Sequence, residues 1–404
     1  MLCDVALSAR MSPRGERVGA PSSEDASKEA LAPLFVVSQL HGGHFVTSSD
    51  GARFQMRGFD YQPLVTSEVQ GKVRQYRNET FAPSFYKPNK ISKMLATWEA
   101  EGYNTVRVFL NPSQIGNVRG GGLNRIYIAN VANFLRTAQR FDVRTLITVG
   151  ALPEYGGYVP PASPSFGTAN EDYLDPAFIV SQCRYLTDLI GALRRDGAPL
   201  LDALWELKGE QNWDNYAAPL DWKSGEVKTA DGRTYNMASP SSRVAMENAN
   251  LAYWTNALSA TIHRLVPGSL TGVGVYPPSV RRPKWTVRPQ VLFTSATQSN
   301  FVDIHVYPNL GPELTQMQSF DASSTTKPVI MGEFGATRSS SVRLASKGLV
   351  RWQERSCHIA GLSISGWLLW TWNSSADVEF WDALAHGALI ERALAPVERP
   401  NPCG

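Results

Sequence analysis

The chain has 404 residues, of which 43% are hydrophobic and 19% charged, so it can bury one large core or two ordinary ones. Its 39 basic and 36 acidic residues nearly balance, and basic runs do not alternate with aromatic residues. This composition argues against nucleic acid or an anionic membrane surface as a partner. No run of about 18 apolar residues occurs, so the sequence predicts no membrane span.

The sequence predicts a disordered N-terminal tail at residues 1–34, followed by one domain at residues 35–404. The tail is polar, charged and rich in small residues, and it lacks the apolar centre of a secretory signal. The chain as it stands is therefore expected to be cytoplasmic, or secreted if its true start differs.

The four cysteines, Cys3, Cys183, Cys357 and Cys403, show neither metal-ligand spacing nor a paired pattern. Two of them, Cys183 and Cys357, fall in predicted helices, where a free thiol packs as a small apolar side chain. We therefore expect buried thiols there and no disulfide framework.

After the tail, apolar runs at 35–46 and 52–59 flank the turn at 48–51 and predict a short β-hairpin. Helical and strand patterns then alternate to the end of the chain. Eight strands are predicted, at 52–59, 104–110, 144–149, 202–208, 270–275, 301–306, 328–333 and 363–371. The main helices are predicted at 89–101, 124–141, 175–195, 241–265, 342–360 and 384–394.

Strands that alternate with helices pair in parallel, so the fold class is α/β. Eight such units fit a closed (β/α)8 TIM barrel with a short N-terminal β-hairpin, whose active site lies at the carboxyl ends of the strands. A doubly wound open sheet is the alternative. It would need a glycine-rich phosphate-binding turn after the first strand, and residues 58–61 offer none. The barrel is therefore favoured.

The seventh predicted strand ends at Glu333, between Gly332 and Gly335. A buried strand has no place for a charge, but its carboxyl end can direct one into a cleft. The flanking glycines let backbone or ligand come close. Glu333 is therefore a candidate for one half of a carboxylate pair. The alternative is a glutamate that makes only a local hydrogen bond at the end of the strand, which would give the same sequence pattern.

The second strand carries Arg107 among apolar residues, and a buried arginine requires an acidic partner. On the fourth strand, Glu206, Lys208 and Glu210 recur at a period of two and should share one face. We interpret Glu206 and Lys208 as a buried supporting pair and Glu210 as the catalytic candidate. Arg107 is either a brace for the active site or a structural ion pair with Glu206.

Further candidates follow the later strands. His305 and Tyr307 end the sixth strand and are either functional or a mutually satisfied pair at the rim. Trp370 ends the eighth strand and either stacks on a sugar or packs in the core. Trp213 is a candidate for an outer sugar subsite, and Glu154 either lines the cleft or is a solvated loop residue.

Two carboxylates at opposed strand ends suit glycoside hydrolysis, in which one protonates the leaving oxygen and the other attacks the anomeric carbon. Glu210 is the candidate acid, and Glu333, held ionised by Arg107 and Tyr307, is the candidate nucleophile. A separation of about 5–5.5 Å would indicate retention of configuration, and about 6.5–9.5 Å inversion. The six histidines never fall at ligand spacing, so we expect no metal and no cofactor.

In order, these fragments resemble the clan A glycoside hydrolases, most closely glycoside hydrolase family 5, the cellulase and β-mannanase family, over residues 52–395. The matching fragments are Arg107, Leu204-Trp205-Glu206-Leu207-Lys208-Gly209-Glu210, His305-Val306-Tyr307, Gly332-Glu333-Phe334-Gly335 and Trp370.

The resemblance implies a retaining enzyme that acts on a β-linked oligosaccharide or polysaccharide of glucan or mannan type. It implies that Glu210 is the acid/base and Glu333 the nucleophile. Arg107 and Tyr307 would brace the nucleophile, and His305 would contact the catalytic region. Trp370 would then form the platform under the sugar that is cleaved.

Gly209 departs from the family, which has asparagine at this position as a hydrogen-bond donor to the sugar 2-hydroxyl. Loss of that bond is worth on the order of 1–3 kcal/mol in the transition state. Gln211 or Asn212 could supply it, or the sugar could differ at its 2-position, or the enzyme could be impaired. A carbohydrate-binding pseudoenzyme and a transglycosylase on the same barrel are therefore the alternatives, and the oligomeric state stays open.

Overall fold

Eight parallel strands close into a barrel in the computed structural model, which describes Cys3 and residues 30–69, 72–167, 169–308, 311–373 and 379–403. They are β1 (Met56–Tyr61), β2 (Thr105–Phe109), β3 (Arg144–Thr148), β4 (Ala203–Glu206), β5 (Leu270–Val275), β6 (Phe301–Val306), β7 (Val329–Phe334) and β8 (Leu362–Leu369). Each strand pairs with the next along the chain, and β8 pairs back with β1. The predicted (β/α)8 barrel is confirmed.

Helices surround the barrel, and all of the longer ones except the helix at 313–319, which was not predicted, lie close to the predicted bounds. The longer ones are α1 (Pro88–Ala100), α2 (Arg125–Arg140), α3 (Pro176–Arg195), α4 (Pro240–Leu265), α5 (Glu313–Ser319), α6 (Val342–Ser356) and α7 (Ala385–Leu394). Asp175 caps α3 by accepting a hydrogen bond from the backbone N–H of Ala177. The predicted end of α6 at 360 is wrong, because His358–Ile359 pairs antiparallel with the start of β8. Within the described ranges, no helix has the length and apolar character needed to cross a membrane.

The helices pack through apolar faces at helical spacing. In α1, Ile91, Met94, Leu95 and Trp98 are buried, and the ring centroid of Trp98 lies 5.4 Å from that of Phe59 on β1. Each such side chain contributes roughly 1.5–3 kcal/mol of transfer free energy. The barrel wall is thereby held on its outer side, which fixes the positions of the strand ends.

An antiparallel sheet of three strands, Leu34–Val37, His44–Thr47 and Arg53–Phe54, covers the amino-terminal end of the barrel. The predicted hairpin turn at 48–51 is present, but the predicted strand 35–46 is interrupted at 38–43, where Gly42 has a φ of +108°. Phe45 is fully buried and packs with the residues that fill the lower barrel. Of the predicted disordered tail, only Cys3 and residues 30–34 lie within the described residues.

The prediction of free cysteines is wrong. Cys357 is bonded to Cys403, and Cys3 to Cys183. The partners lie 46 and 180 residues apart in sequence, so only the fold, and no local spacing, brings them together.

Candidate active site

The carboxyl ends of the strands carry a buried cluster of charged side chains, which we call the charged cluster. Its members are Asp60 on β1, Arg107 on β2, Glu206 on β4, Asp303 and His305 on β6, Glu333 on β7, and Glu210 after β4. Most are fully buried, whereas Glu333 is 8% exposed and the side chain of Glu210 is 32% exposed. The two glutamates singled out from sequence are therefore the carboxylates that reach the cleft.

Arg107 is the centre of the charged cluster. Its Nε donates to Glu206 at 2.9 Å, and its Nη1 donates to Asp60 at 3.0 Å and to Glu333 at 2.6 Å. Asp303 Oδ2 lies 3.6 Å from Arg107 Nε. A guanidinium has five donors and needs several acceptors when buried, which explains why four strands supply carboxylates to it. Arg107 thus contacts Glu333 and is also paired with Glu206.

Glu333 is held from two sides. Arg107 donates to its Oε1, and the hydroxyl of Tyr307 donates to its Oε2 at 2.6 Å. The preceding Gly332 donates its backbone N–H to Asp303 Oδ1 at 2.6 Å, and a Cβ at Gly332 would overlap that carboxylate. The predicted close approach at this glycine is therefore made by a neighbouring carboxylate, which fixes the end of β7.

His305 lies between the two glutamates. Its Nδ1 is 3.1 Å from Glu210 Oε1 and 3.4 Å from Glu333 Oε2. Carboxylate oxygens of Glu210 and Glu333 lie within 4.8 Å of each other. The two residues come from strands separated by three βα units, and the barrel closes that sequence distance at its mouth.

Burial and charge set the protonation of these groups in different directions. Burial lowers the pKa of His305, but the Glu333 charge and the hydrogen bonds with Asp303 and Glu210 raise it well above its usual value. Burial raises the pKa of Glu210, but His305, Arg282 and Arg107 outweigh it and hold that pKa below its usual value. The expectation that Glu210 keeps its proton near neutral pH is therefore not met by this arrangement alone.

Lys208 does not pair with Glu206, and that prediction is wrong. Its Nζ lies 2.6 Å from Asp172 Oδ2, whereas Glu206 accepts from Arg107 and from the hydroxyl of Thr148. Strand β4 ends at Glu206, so the alternation that would place Lys208 on the same face stops there.

Trp213 does not line the cleft. Its side chain is fully buried, and its ring centroid lies 4.8 Å from that of Tyr173. A sugar has no access to either face of this indole, so the subsite prediction for Trp213 is wrong. Trp213 is part of the core packing.

Trp370 is half-buried at the end of β8, and its ring centroid lies 6.0 Å from that of Phe109 at the end of β2. The peptide bond between Trp370 and Thr371 is cis. Glu154 is exposed in the loop after β3, and its backbone N–H donates to the carbonyl of Pro112. Trp370 thus lies at the carboxyl end of the barrel beside Phe109, whereas Glu154 lies on the solvated loop surface.

Gly209 faces the charged cluster. A Cβ at this position would lie 3.3 Å from Arg107 Nη2 and 3.4 Å from Thr148 Cγ2. Two residues further on, the backbone N–H of Gln211 donates to the carbonyl of Gly274. The side chain of Gln211 is fully buried, and its amide group has no hydrogen-bond partner among the described residues. A side chain at position 209 would therefore press against Arg107 and Thr148, so the glycine lets these groups pack closely.

Among the residues that the structure describes, two groups of side chains have the composition of a metal site. Glu206, Asp303 and His305 form one, and Glu210, His305 and Glu333 the other, with ligand atoms in each within 4.8 Å of one another. Arg107 already donates to members of both groups. A divalent cation would lie against this fixed positive charge, so the arrangement suits an ion-pair network better than a metal.

A cavity of about 520 Å³ opens next to Glu210, between the segment 210–215 and the loop 276–290. We call it the arginine cavity, because Arg281, Arg282 and Arg288 line it. A guanidinium nitrogen of Arg282 lies 3.7 Å from Glu210 Oε2. The sequence carries a signal for it in Arg281-Arg282-Pro283-Lys284-Trp285, so the prediction that basic runs stand apart from aromatic residues is wrong there.

The two walls of the arginine cavity are joined. Trp213–Asp214 pairs antiparallel with Trp285–Thr286, and the backbone N–H of Asn215 donates to the carbonyl of Lys284 at 2.8 Å. The side chain of Asn215 also accepts from the hydroxyl of Thr286 at 2.8 Å. These bonds hold the arginine-bearing loop at a fixed place relative to Glu210.

Neither a protein-family model nor a curated protein sequence matches the chain. Solved structures do match its fold, among them an exo-β-1,4-mannosidase from an Opitutaceae bacterium (TM-score 0.58, 17% identity). That match covers 91% of this chain and 63% of the other, so the chain spans less than two thirds of that protein.

Two further structures give similar values. An endo-1,4-β-mannanase from Rhizomucor miehei aligns with a TM-score of 0.58 and 15% identity, covering 91% of this chain and all of the other. A GH5_18 protein from Streptomyces cattleya, solved with Manβ1-4GlcNAc, aligns with a TM-score of 0.54 and 15% identity over 85% of this chain and 80% of the other. At these identities the likeness establishes the barrel fold.

Proposed function

We propose that the chain is a retaining glycoside hydrolase that cleaves a β-linked glycan of mannan or glucan type. The observation that carries this proposal is the pair Glu210 and Glu333, whose carboxylate oxygens approach within 4.8 Å across the barrel mouth. Double displacement uses a separation of about 5–5.5 Å, whereas inversion needs room for a water between the carboxyls. The similarity to mannosidase and mannanase structures supports a sugar substrate of this type.

In the first step, Glu333 attacks the anomeric carbon while Glu210 gives its proton to the glycosidic oxygen, and the leaving sugar departs as an alcohol. Glu333 is suited to attack, because Arg107 and Tyr307 orient both of its oxygens. The product of this step is a glycosyl ester on Glu333.

In the second step, Glu210, now ionised, takes a proton from water, and that water attacks the anomeric carbon and releases Glu333. His305 contacts both carboxylates and can balance their changing charge. Trp370, half-buried at the same end of the barrel, offers an aromatic face to the sugar ring.

The test is turnover of aryl β-mannosides and β-glucosides by the unaltered protein and by Glu333→Gln, with the exposed Glu226→Gln as control. We expect loss of turnover in the first variant only, with unchanged unfolding. Proton NMR of the reaction should show the β-anomer as the first product.

An α-anomer formed first would exclude double displacement. Normal turnover by Glu333→Gln would show that Glu333 takes no part in the chemistry.

Gly209 gives a specific reason for the second candidate, a protein that binds the glycan without cleaving it, since no side chain occupies that place beside Arg107. Oligosaccharide binding in calorimetry with no product after prolonged incubation would favour that candidate.

A further inference from the structure

The arginine cavity lies on the Glu210 side of the cleft, where the acid meets the departing half of the substrate under the proposed function. Glu210 is the one acidic side chain among the described residues that line it, against Arg281, Arg282 and Arg288. This excess of cations favours an anionic ligand over a neutral one.

The neighbouring cations differ in their counter-ions. Arg288 is paired with Glu247, and Lys284 lies 3.3 Å from Asp214. Within the described ranges of the chain, Arg281 has no acidic partner, and the carboxylate facing Arg282 is that of Glu210, at 3.7 Å. Arg281 and Arg282 are therefore the two cations that a ligand can reach as an ion pair.

The state of Glu210 that cleavage requires increases this imbalance. To protonate the leaving oxygen, Glu210 must be neutral, and Arg282 then loses its counter-ion. The guanidinium of Arg282 lies over the ring of Tyr276, 3.7 Å from its centroid, which holds it in place beside the cavity. A second anion next to Arg282 would restore the charge balance when Glu210 carries the proton.

We propose that the arginine cavity binds the leaving-group part of the substrate through an anionic substituent, a uronic acid carboxylate or a sulfate ester, held by Arg281 and Arg282. This inference rests on the proposed function and adds a substrate class to it: an acidic β-glycan or glycoconjugate. Trp285 and the pyrrolidine rings of Pro278 and Pro283 add apolar surface for the sugar ring.

The same contact would assist the acid. The charged and titratable groups near Glu210 are His305, Arg282, Arg107, Tyr276 and Glu333. An anion that neutralises Arg282 removes one of the charges that hold the pKa of Glu210 down. An acidic substrate should therefore be cleaved up to a higher pH than a neutral one.

The loop that supplies the two arginines is placed in advance, because its Trp285–Thr286 strand is paired with the segment that follows Glu210. The backbone of this loop need not be ordered when the ligand binds, which lowers the entropic cost of recognition.

The binding test uses Glu333→Gln protein, which should not turn over, and three matched ligands: methyl β-glucuronide, methyl β-glucoside 6-sulfate and methyl β-glucoside. We expect at least one anionic ligand to bind about tenfold more tightly than the neutral one at low salt, as two exposed charge contacts allow. The advantage should shrink as ionic strength rises. The ligand that binds more tightly identifies the anion as carboxylate or sulfate.

Adding Arg281→Gln and Arg282→Gln together should remove the advantage, and Arg281→Gln alone should reduce it. Arg343→Gln, on the exposed side of α6, is the matched control and should leave it intact. Equal binding of all three ligands would overturn the proposal, as would a charge preference that survives in the double variant.

The kinetic test compares 4-nitrophenyl and 3-carboxy-4-nitrophenyl glycosides of the sugar that the enzyme accepts. We expect a higher kcat/KM for the carboxylated leaving group and a basic limb that lies at higher pH. Hydrolysis of both at equal rates with one pH profile would overturn this inference and leave the proposed function standing. Absence of hydrolysis together with charge-selective binding would overturn the proposed function, but the binding of an anionic ligand by the arginine cavity would still stand.

Discussion

Tyr307 makes a contact whose removal tests the orientation of Glu333 without changing any charge. Tyr307→Phe deletes the 2.6 Å hydrogen bond to Glu333 Oε2 and keeps the ring that packs on Phe380, 4.9 Å between centroids. A hydrogen bond to a charged group is worth about 1.5–3 kcal/mol, so kcat should fall on the order of 10- to 100-fold. Steady-state kinetics check this, with Tyr235→Phe, whose hydroxyl donates to Asp231 outside the site, as control. An unchanged kcat would show that Arg107 alone positions the nucleophile.

His305 should control the pH range of activity. Its hydrogen bond and charge are the largest influences that lower the pKa of Glu210 against burial. In His305→Gln the carboxyl of Glu210 should hold its proton to higher pH, so the basic limb of kcat/KM should move upward even as the maximum falls. The pH profile is the measurement, and His358→Gln, exposed after α6, is the control. A basic limb that stays in place, or moves to lower pH, would contradict the assignment of Glu210 as the acid.

At this scale, the sequence predicted the residues whose chemistry is unusual for their position. A carboxylate or guanidinium in a strand of apolar residues is costly, so Arg107, His305 and Glu333 were identifiable before the fold was known. The partners of these side chains were not identifiable from sequence, because the residue that pairs with each charge comes from a distant strand. Lys208 pairs with Asp172, and Trp213 packs on Tyr173, through contacts that no periodicity encodes.

Strand β7 depends on Gly332, the glycine next to Glu333. Gly332→Ala would place a methyl group on the Asp303 carboxylate, which also lies near Arg107 and His305. Overpacking of this kind costs typically about 1–3 kcal/mol, and displacement of Asp303 should also disturb His305 and lower activity. Chemical denaturation and kinetics of the same preparation measure both effects.

The matched control for that change is Gly348→Ala, on the exposed surface of α6, where an added Cβ meets nothing within 4 Å. It should raise the free energy of unfolding by roughly 0.5–1 kcal/mol, since alanine is the better helix former. Equal effects of the two alanine substitutions would mean that Gly332 is not constrained by Asp303.

Elements were predictable where local signals agree. Helix α3 begins at its predicted Asp-Pro cap, and β5 and β6 have their predicted bounds, because buried strands bounded by loops leave a clear apolar run. The pairing of Trp213–Asp214 with Trp285–Thr286 was not predictable, since two-residue strands have no period. This pairing builds the arginine cavity, so the part of the site set by loops was the part that sequence patterns missed.

The Cys357–Cys403 disulfide links the end of α6 to the segment after α7. The two cysteines are 46 residues apart in sequence. Cys403→Ser should lower the free energy of unfolding by about 2–4 kcal/mol, because the unfolded chain is no longer restricted by that loop. Urea denaturation with and without reductant measures this. In reductant the variant and the unaltered protein should have the same free energy of unfolding. A difference that persists in reductant would show that packing around Cys403, and not the disulfide bond, is responsible.

Bridges of this kind form in oxidising compartments. We therefore expect protein made in an oxidising compartment to titrate with fewer free thiols than protein refolded in reductant.

The barrel is closed below by the sheet that begins at Leu34, whose Phe45 fills the space between the lower ends of the strands. A ligand of the charged cluster must therefore enter and leave through the upper opening. A protein coupled to a solid support through an exposed residue of this sheet would turn the opposite end of the barrel toward the liquid. Immobilised in that orientation, it should keep its access to long polymers, whereas attachment near the loop 276–290 would block their path.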